Sequence, residues 1–236
     1  MGIKKELSYW QDHAETEQMH KWCGNHQAPF KVEARRMIRA NKYKTVLDVG
    51  AGVFSEYHGF QTDDYDIEYS ATEITPKYVE HGKALGINVV EASVCDLPFE
   101  DSSYDCVICY NVLNHIEDIE SSVTELIRVA SKEIFISFFK PFQKKYLENV
   151  KYHNTQGNSY RTTPAVTVED RIVIEDETVC QFVYINQDFL HDILKKSKKV
   201  SGYKYFTAGD GTVLLLISIH NTDLKEDIIC VTQKLE

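Results

Sequence analysis

The sequence predicts an α/β domain with a mostly parallel sheet, and three observations support this prediction. Short runs of β-branched residues alternate with helical patterns from Tyr43 onward, as in the crossover units that join parallel strands. An apolar stripe at helical spacing lies between the last two of these runs, and two further strand-like runs follow towards the end of the chain. The five alternating runs are TVLDVG, EYSATEI, NVVEASV, DCVICYNV and EIFISFF.

Two helices are predicted before the first strand. The stretch KVEARRMIRA follows Pro29, a residue type that suits the first turn of a helix. An earlier helix is predicted around residues 7–21, where Tyr9 and Trp10 are aromatic. We expect residues 1–42 to form a helical lid over a ligand cleft, with plain core packing as the alternative explanation of the aromatic residues.

The predicted elements change in type after Lys140. Before it, IEDIESSVTELIRVA predicts a crossover helix, so residues 43–140 should hold the parallel part of the sheet. After it, VEDRIVIEDETVCQFVYI alternates as in an antiparallel hairpin with EDET at its turn, and residues 141–184 are predicted to form an inserted cap. NQDFLHDILKKSKK then predicts a helix opened by Asn186. SGYKYFT and TVLLLISIH, joined at AGDG, predict the final strands of residues 185–236.

Length, charge and cysteine content limit the classes of function. The 236 residues, 43% of them apolar, are enough for one packed domain. The excess of 36 acidic over 26 basic side chains gives a formal charge of −10, which disfavours nucleic acid and membrane surfaces as partners. The N-terminus lacks the apolar core of a signal peptide and the six cysteines are scattered, so free thiols in the cytoplasm are expected. Cys106 and Cys109 are spaced as in CxxC, yet a strand would turn them to opposite faces, and no metal site is predicted.

A ligand-binding loop is predicted directly after the first strand, in VLDVGAG. Gly50 and Gly52 let the backbone turn sharply and bring main-chain N–H groups against a ligand. Glu73 ends the second strand, 25 residues beyond Asp48, where a carboxylate can accept hydrogen bonds from ribose hydroxyls. Asp96 follows the third strand. Because the carboxyl ends of parallel strands meet at one edge of a sheet, we expect a nucleoside site there.

Several of these motifs together resemble a known family. LDVGAG, the acid in ATEI, CDLPFEDSSYDCVICYNVLNHIED and the terminal pair of strands are similar to the class I S-adenosylmethionine-dependent methyltransferases, in particular the branch with D-LPF-D-S-(F/Y)-D and N-VL-HI motifs. The resemblance covers about residues 43–139, and the last strands by topology only. With the inserted hairpin cap, the expected fold is a Rossmann-like seven-stranded, mostly parallel sheet with helices on both faces and an antiparallel last strand.

The resemblance also implies the cofactor, S-adenosylmethionine, which becomes S-adenosylhomocysteine, and the residues that contact it. Gly50 and Gly52 would lie against its methionine part, and Glu73 would hold the ribose. Asp96 would accept a hydrogen bond from the exocyclic amine of the adenine, and Leu97 would cover the ring. All the expected cofactor-binding residues lie at or near strand ends: Asp48, Gly50, Ala51, Gly52, Glu73, Ile74, Asp96, Leu97, Tyr110 and Asn111.

The chain departs from the family pattern in the glycine loop. Phe54 occupies the third glycine position of GxGxG, so the loop must bend differently or the ring must help to close the cofactor cleft. SEYHGFQTDDYDI lacks the apolar stripe of the expected long helix and contains Gly59, which would interrupt one, so a short or irregular helix is predicted. GAGVFS also lacks the third glycine of a dinucleotide fingerprint, and no GK(S/T) of a P-loop follows.

Methyl transfer mainly needs alignment of donor and acceptor, with at most one base. Tyr110 and Asn111 end the fourth strand beside the expected methyl group, and His115 follows them. His115 could deprotonate an acceptor hydroxyl near neutral pH, with packing or helix capping as the alternative. His153 lies in the inserted segment, whose length is typical of a substrate-binding loop. These two histidines are the predicted catalytic residues.

The predicted function is methyl transfer to a small molecule or glycan, at an oxygen. Aromatic faces pack on sugar rings and carboxylates accept hydroxyls, which suits an acidic chain with 14 tyrosines. RNA methylation is one alternative, because KYHNTQGNSYR and ILKKSKK supply basic stretches. The other alternative is a non-catalytic partner protein that keeps the fold. The retained glycines and acids argue against it, because a structural scaffold need not keep the contacts of a cofactor. The chain is expected to be a monomer or a homodimer.

Overall fold

The structure is a computed structural model in which only part of the chain is described. The described residues are Trp10, 24–138, 159–163, 165–172, 179–208, 212–220 and 229–234. The helix predicted around residues 7–21 lies outside these ranges apart from Trp10, and so does the predicted turn EDET. Within them the chain forms one large sheet, one small sheet and the helices that cover the large sheet.

The predicted helices from Pro29 onward are confirmed. Pro29 lies in the first turn of α1, and Gly59 does not interrupt α2, which is short, as expected. The side chains of Asp118 and Asn186 accept hydrogen bonds from the first turns of α4 and α5, which fixes where these helices begin. The α-helices are α1 (Pro29–Ala40), α2 (Ser55–Thr62), α3 (Pro76–Ala84), α4 (Ile119–Val129) and α5 (Gln187–Lys196).

Eleven strands form the two sheets of the described residues. They are β1 (Thr45–Val49), β2 (Glu68–Glu73), β3 (Asn88–Glu91), β4 (Tyr104–Tyr110), β5 (Ala130–Phe138), β6 (Ser159–Thr162), β7 (Val166–Ile172), β8 (Val179–Ile185), β9 (Val200–Thr207), β10 (Val213–Ile219) and β11 (Ile229–Lys234). The order in the large sheet is β11-β9-β10-β5-β4-β1-β2-β3.

The large sheet contains the seven predicted strands and one more. Strands β1 to β5 pair in parallel, and β10 runs antiparallel to both β5 and β9. The mostly parallel sheet and its antiparallel strand are thereby confirmed. The additional strand, β11, was not predicted from the sequence and pairs in parallel with β9. The parallel strands all present their carboxyl ends to one edge, where the predicted site residues stand.

Two apolar layers cover the two faces of the large sheet. One face packs against α4 and α5, and the other packs against α1 and the Phe60 side chain of α2. Cys106 and Cys109 are fully buried free thiols that belong to opposite layers, as their spacing within a strand predicts. The cysteine pair therefore contributes to packing on each side of β4.

The inserted segment forms a second, antiparallel sheet in the order β6-β7-β8. Strands β7 and β8 form the predicted hairpin, and β6 adds a third strand to it. Asn114 Nδ2 donates to Val183 O at 3.2 Å, which ties β8 to the segment that follows β4. Asn186 N donates to Ala165 O at 2.8 Å and ties the sheet to the start of α5. Its role as a cap over an acceptor stays a prediction.

Phe54 keeps the left-handed backbone of a glycine position and places its ring in the core. Its φ is 57°, and its side chain is fully buried beside Ala71 and Val89, between the sheet and α3. The ring fits because α3 carries Gly82 at the contact: an added Cβ there would lie 2.5 Å from Phe54 Cζ. The sequence raised two possibilities, a loop that bends differently or a ring that helps to close the cofactor cleft, and the structure shows neither of these but a ring packed in the core.

Gly59 is required by the close approach of α1. A Cβ on Gly59 would lie 2.6 Å from Nη1 of Arg35, whose guanidinium is buried against α2. The glycine therefore provides room for a buried charged group of the neighbouring helix. Its helix-breaking tendency, roughly 1 kcal/mol relative to alanine, is a smaller effect than the clash that a side chain would cause.

Gly82→Ala should destabilise the protein although it lies within a helix. Glycine to alanine in a helix usually adds about 1 kcal/mol of stability. Here the new methyl group would meet Phe54 at 2.5 Å and Val89 at 2.9 Å. We therefore expect a loss of about 1–3 kcal/mol in the free energy of unfolding, measured by urea denaturation.

A second substitution and a control test the cause of this loss. Phe54→Leu in the Gly82→Ala background should recover part of the stability, because it shortens the side chain that clashes. Glu80→Ala, at an exposed position of the same helix, should change the free energy of unfolding by less than about 0.5 kcal/mol. A Gly82→Ala protein as stable as the parent would contradict the packing described for Phe54.

Candidate functional site

The loop that follows β1 is fastened to the neighbouring strand and open on its other side. Gly50 N and Ala51 N both donate to Thr72 O, at 2.8 and 3.1 Å. Gly50 has φ 71°, and a Cβ on it would lie 2.4 Å from Val112 Cγ2, so only glycine fits. Gly52 has φ 54°, and no atom of the residues that the structure describes lies within 4 Å of where its Cβ would be. The loop can therefore bring main-chain groups directly against a ligand.

The carboxylate of Glu73 joins this loop to the end of β2. Its Oε2 accepts from Gly52 N at 2.9 Å, and its Oε1 accepts from Ile74 N at 2.8 Å and from Thr75 N at 3.0 Å. Burial raises the pKa of the Glu73 carboxyl, and the three N–H donors oppose that rise by favouring its charged form. A carboxylate has about four acceptor positions, so capacity remains for a ligand hydroxyl.

Asp96 and Leu97 follow β3 at the same edge of the sheet. Asp96 is exposed, and its N–H donates to Ser93 O at 3.1 Å. The Leu97 side chain is only 3% exposed and belongs to the apolar layer under α4. The exposed carboxylate of Asp96 is thus next in sequence to Leu97, whose side chain is buried in the core.

Tyr110 and Asn111, at the end of β4, differ in their surroundings. Tyr110 lies edge-on to Phe30 at 5.3 Å, and its hydroxyl is buried without a hydrogen-bond partner among the described residues. Burial raises the pKa of Tyr110 well above its ordinary value, so the hydroxyl stays neutral and can donate to a polar ligand. Asn111 has φ 60°, and its Oδ1 accepts from Ser137 Oγ at 3.0 Å.

A cluster of buried charges that was not predicted from the sequence lies between α1 and α2. Lys31 Nζ is 3.7 Å from Glu56 and 2.5 Å from Ser55 Oγ. Arg35 lies 3.2 Å from Glu56 and 2.7 Å from Asp63. Lys31 and Arg35 are one turn apart on the buried face of α1, so charged residues on an otherwise apolar stripe were the available signal.

Asp48 is the charged group of β1, and it is 4% exposed. Tyr69 Oη donates to Asp48 Oδ2 at 2.6 Å. Burial raises the pKa of Asp48 to about 7; Glu56 and Glu73 add to this rise, while Tyr69 and Lys31 oppose it. Asp48 therefore shares its surroundings with the buried cluster and with Glu73.

Of the two predicted catalytic histidines, His115 lies among the described residues and His153 does not. His115 belongs to the short 3₁₀ turn Leu113–His115 and is 8% exposed. Its ring lies 4.8 Å from that of Trp10, edge-on, and 5.5 Å from that of Phe182 in β8. His153 lies outside the described residues. The structure thus brings His115 together with a residue from the N-terminal region and one from the inserted sheet.

The features of this edge fit the nucleoside and amino-acid parts of S-adenosylmethionine. Among the described residues, Gly52 faces open space, Glu73 is a fixed acceptor, and the hydroxyl of Tyr110 has no hydrogen-bond partner. Among the described residues, no group of three or more histidines, cysteines and acids is arranged to hold a metal ion. None of the described helices is long and apolar enough to cross a membrane.

Parts of this chain are similar to known proteins. Residues 47–137 match the family described as "Methyltransferase domain". Ajmaline N-methyltransferase of Rauvolfia serpentina is 26% identical over 98 residues, 38% of this chain and 33% of the relative. The ubiquinone biosynthesis O-methyltransferase of Rickettsia conorii is 26% identical over 108 residues, 44% of this chain and 37% of the relative. The chain thus covers only 33% to 37% of these relatives' length.

A solved structure gives the same fold over nearly the whole chain. The crystal structure of magnesium protoporphyrin IX methyltransferase from Synechocystis with bound SAH (S-adenosylhomocysteine) matches with a TM-score of 0.58 at 16% identity. The match covers 91% of this chain and 99% of that one. The two chains therefore share a fold.

The ionisation of Asp48 should make stability depend on pH. An acid whose pKa is raised by folding, here from 3.8 to about 7, stabilises the folded state below the lower value. That contribution is lost as pH rises through the higher value. Between about pH 5 and pH 8 we expect the parent protein to lose roughly 2 kcal/mol of unfolding free energy relative to Asp48→Asn. Urea denaturation of both proteins at each pH measures the difference, and parallel curves would contradict the assignment.

Proposed function

We propose that this chain, which belongs to the class I S-adenosylmethionine-dependent methyltransferase superfamily, transfers the methyl group of that cofactor to an oxygen of a small molecule or glycan. The observation that carries the proposal is the Glu73 carboxylate bound to Gly52 N at the carboxyl edge of the sheet. It lies within residues 47–137, which match the methyltransferase domain. The glycine loop and an acid at the end of the next strand together suit a nucleoside ligand.

The proposed cofactor contacts follow from the groups available at this edge. The Gly50–Gly52 backbone and the hydroxyl of Tyr110 would hold the methionine part, and Glu73 would accept from the ribose. Asp96 would accept from the exocyclic amine of the adenine. Bound S-adenosylmethionine supplies an electrophilic methyl group on a sulfonium sulfur, so the protein mainly has to align an acceptor and exclude water.

The acceptor is proposed to bind beside His115. Its ring contacts those of Trp10 and Phe182, so the N-terminal region and the inserted sheet both reach it. In this proposal, His115 takes the proton of an acceptor hydroxyl, and the apolar rings around it exclude water. The buried hydrogen bond from Asn114 to Val183 holds the inserted sheet in place.

A small neutral acceptor suits the charge of the chain better than a nucleic acid. The formal charge of −10 repels a phosphate backbone. The two curated relatives are named for N-methylation of ajmaline and for O-methylation in ubiquinone biosynthesis, so their names concern small molecules. Incubation with labelled S-adenosylmethionine and fractionated cell extract, followed by analysis of sugars, lipids, RNA and protein, would identify the acceptor. Label in RNA would overturn the proposed class, and label in no fraction would favour the non-catalytic alternative.

Glu73→Ala should weaken cofactor binding. It removes a charged acceptor and also frees the N–H of Gly52, so the loop keeps only its hydrogen bonds to Thr72 O on β2. We expect a loss of about 1.5–3 kcal/mol, which is roughly a tenfold to hundredfold higher Kd for S-adenosylhomocysteine by calorimetry. Glu68→Ala removes an exposed acid at the other end of the same strand and should leave the Kd unchanged. Unchanged affinity in a folded Glu73→Ala protein would refute the assigned site.

Asn114→Ala should separate acceptor turnover from cofactor binding. The substitution leaves Val183 O without this donor and loosens the inserted sheet beside His115. We expect kcat/KM for the identified acceptor to fall at least about tenfold, while the Kd for S-adenosylhomocysteine stays within about threefold. Asn88→Ala, which removes an amide bonded to Ser70 on β2, is the matched control. Equal loss in both variants would show that the inserted sheet has no role at the acceptor.

A further inference from the structure

An ion pair on α4 forms hydrogen bonds to the loop that contains Asp96. Arg128 and Glu125 form a forked pair, with Nε to Oε1 at 2.6 Å and Nη2 to Oε2 at 2.8 Å. The same two side chains also form hydrogen bonds to the N–H and to the carbonyl oxygen of Leu97. Glu125 Oε2 accepts from Leu97 N at 2.8 Å, and Arg128 Nη2 donates to Leu97 O at 2.8 Å.

Arg128 also forms hydrogen bonds to later residues of the same loop. Its Nη1 donates to Phe99 O at 2.6 Å and to Asp101 Oδ1 at 3.1 Å. Its backbone carbonyl accepts from Ser102 N at 2.8 Å and from Lys199 Nζ at 2.9 Å. The connection between β3 and β4 is therefore bound at several points to one turn of α4.

The pair is charged under all ordinary conditions. The hydrogen bond from Arg128 lowers the pKa of the Glu125 carboxyl, and the same bond raises the pKa of Arg128. Both side chains are partly exposed, at 18% and 27%. Exposed ion pairs in general contribute little stability. This pair differs from an ordinary surface ion pair because Glu125 Oε2 and Arg128 Nη2 also bind the peptide groups of Leu97.

We propose that Glu125 and Arg128 are positioning residues that give the cofactor site its preference for adenine. They fix the peptide groups of Leu97, and with them the preceding residue, Asp96, whose carboxylate is exposed at the cofactor edge. This inference rests on the proposed function, because it concerns the nucleoside part of the same cofactor. A carboxylate accepts a hydrogen bond from the amine of adenine but not from the carbonyl oxygen that replaces it in hypoxanthine.

A matched ion pair elsewhere in the chain serves as the control. Glu33 and Arg36 on α1 have the same spacing and the same forked geometry, at 2.8 and 2.6 Å. The Arg36 side chain is 66% exposed, and the pair lies on α1, away from the β3–β4 loop. Arg36→Lys and Glu33→Gln therefore disrupt a forked ion pair of the same geometry without touching the loop.

The experiment compares two ligands that differ at one group of the base. Calorimetry with S-adenosylhomocysteine and S-inosylhomocysteine gives a preference for adenine, expected to be at least about tenfold in the parent protein. Arg128→Lys, which keeps the charge but loses the fork, and Glu125→Gln, which keeps the shape, should each reduce this preference at least about fivefold. The two control variants should retain it. Circular dichroism before titration establishes that each variant is folded.

The possible outcomes distinguish the inference from the proposed function. If the parent binds neither ligand, the proposed function fails and this inference fails with it. If the parent binds both ligands equally, or if the Arg128 and Glu125 variants keep the full preference, only the inference is overturned. If both affinities fall by the same factor, the pair acts on the stability of the site and not on base selection, which also overturns the inference.

Discussion

The hydrogen bonds of the Glu73 carboxylate hold the candidate site together. One buried side chain binds N–H groups from the loop after β1 and from the residues that follow β2. Burying a carboxylate is costly, and the cost is offset only when several donors surround it. The arrangement thus requires the glycine loop to stay closed against β2. A ligand that also binds this carboxylate finds its partners already in place, which reduces the ordering that binding would otherwise require.

The charged cluster below the loop has a different physical character. Buried ion pairs seldom add net stability compared with apolar side chains of similar size, although breaking one is strongly destabilising. Lys31, Arg35 and Glu56 therefore favour one relative position of α1 and α2 more than they add to the total stability. Since α2 begins directly after the glycine loop, this relative position also determines where the loop stands. The position of a surface helix is in this way coupled to the ligand edge of the sheet.

Local signals in the sequence predicted the parallel sheet and the glycine loop, but the packing around the loop needed the structure. Short runs of β-branched residues that alternate with helical patterns predicted β1 to β5. Gly50 and Glu73 were recognised because they lie where the first two strands end. Lys31 and Arg35 were missed because charged residues on a helix are usually assigned to solvent, and their partner Glu56 comes from another helix. Strand β11 was missed because its sequence, ICVTQK, has only three consecutive apolar residues and ends in polar ones. Contacts between elements distant in sequence leave no periodic trace in either element.

The contact between Gly59 and Arg35 limits insertions and deletions in the segment that precedes Gly59. The guanidinium of Arg35 occupies the space beside Gly59, and no residue with a Cβ fits there. One residue inserted or deleted within α2 between Ser55 and Gly59 would turn that glycine by about 100° around the helix axis and present a side chain to Arg35 instead. Insertions and deletions in this segment are therefore disfavoured unless α1 changes as well. Related chains with the same buried arginine should differ here by substitution and keep the segment at constant length.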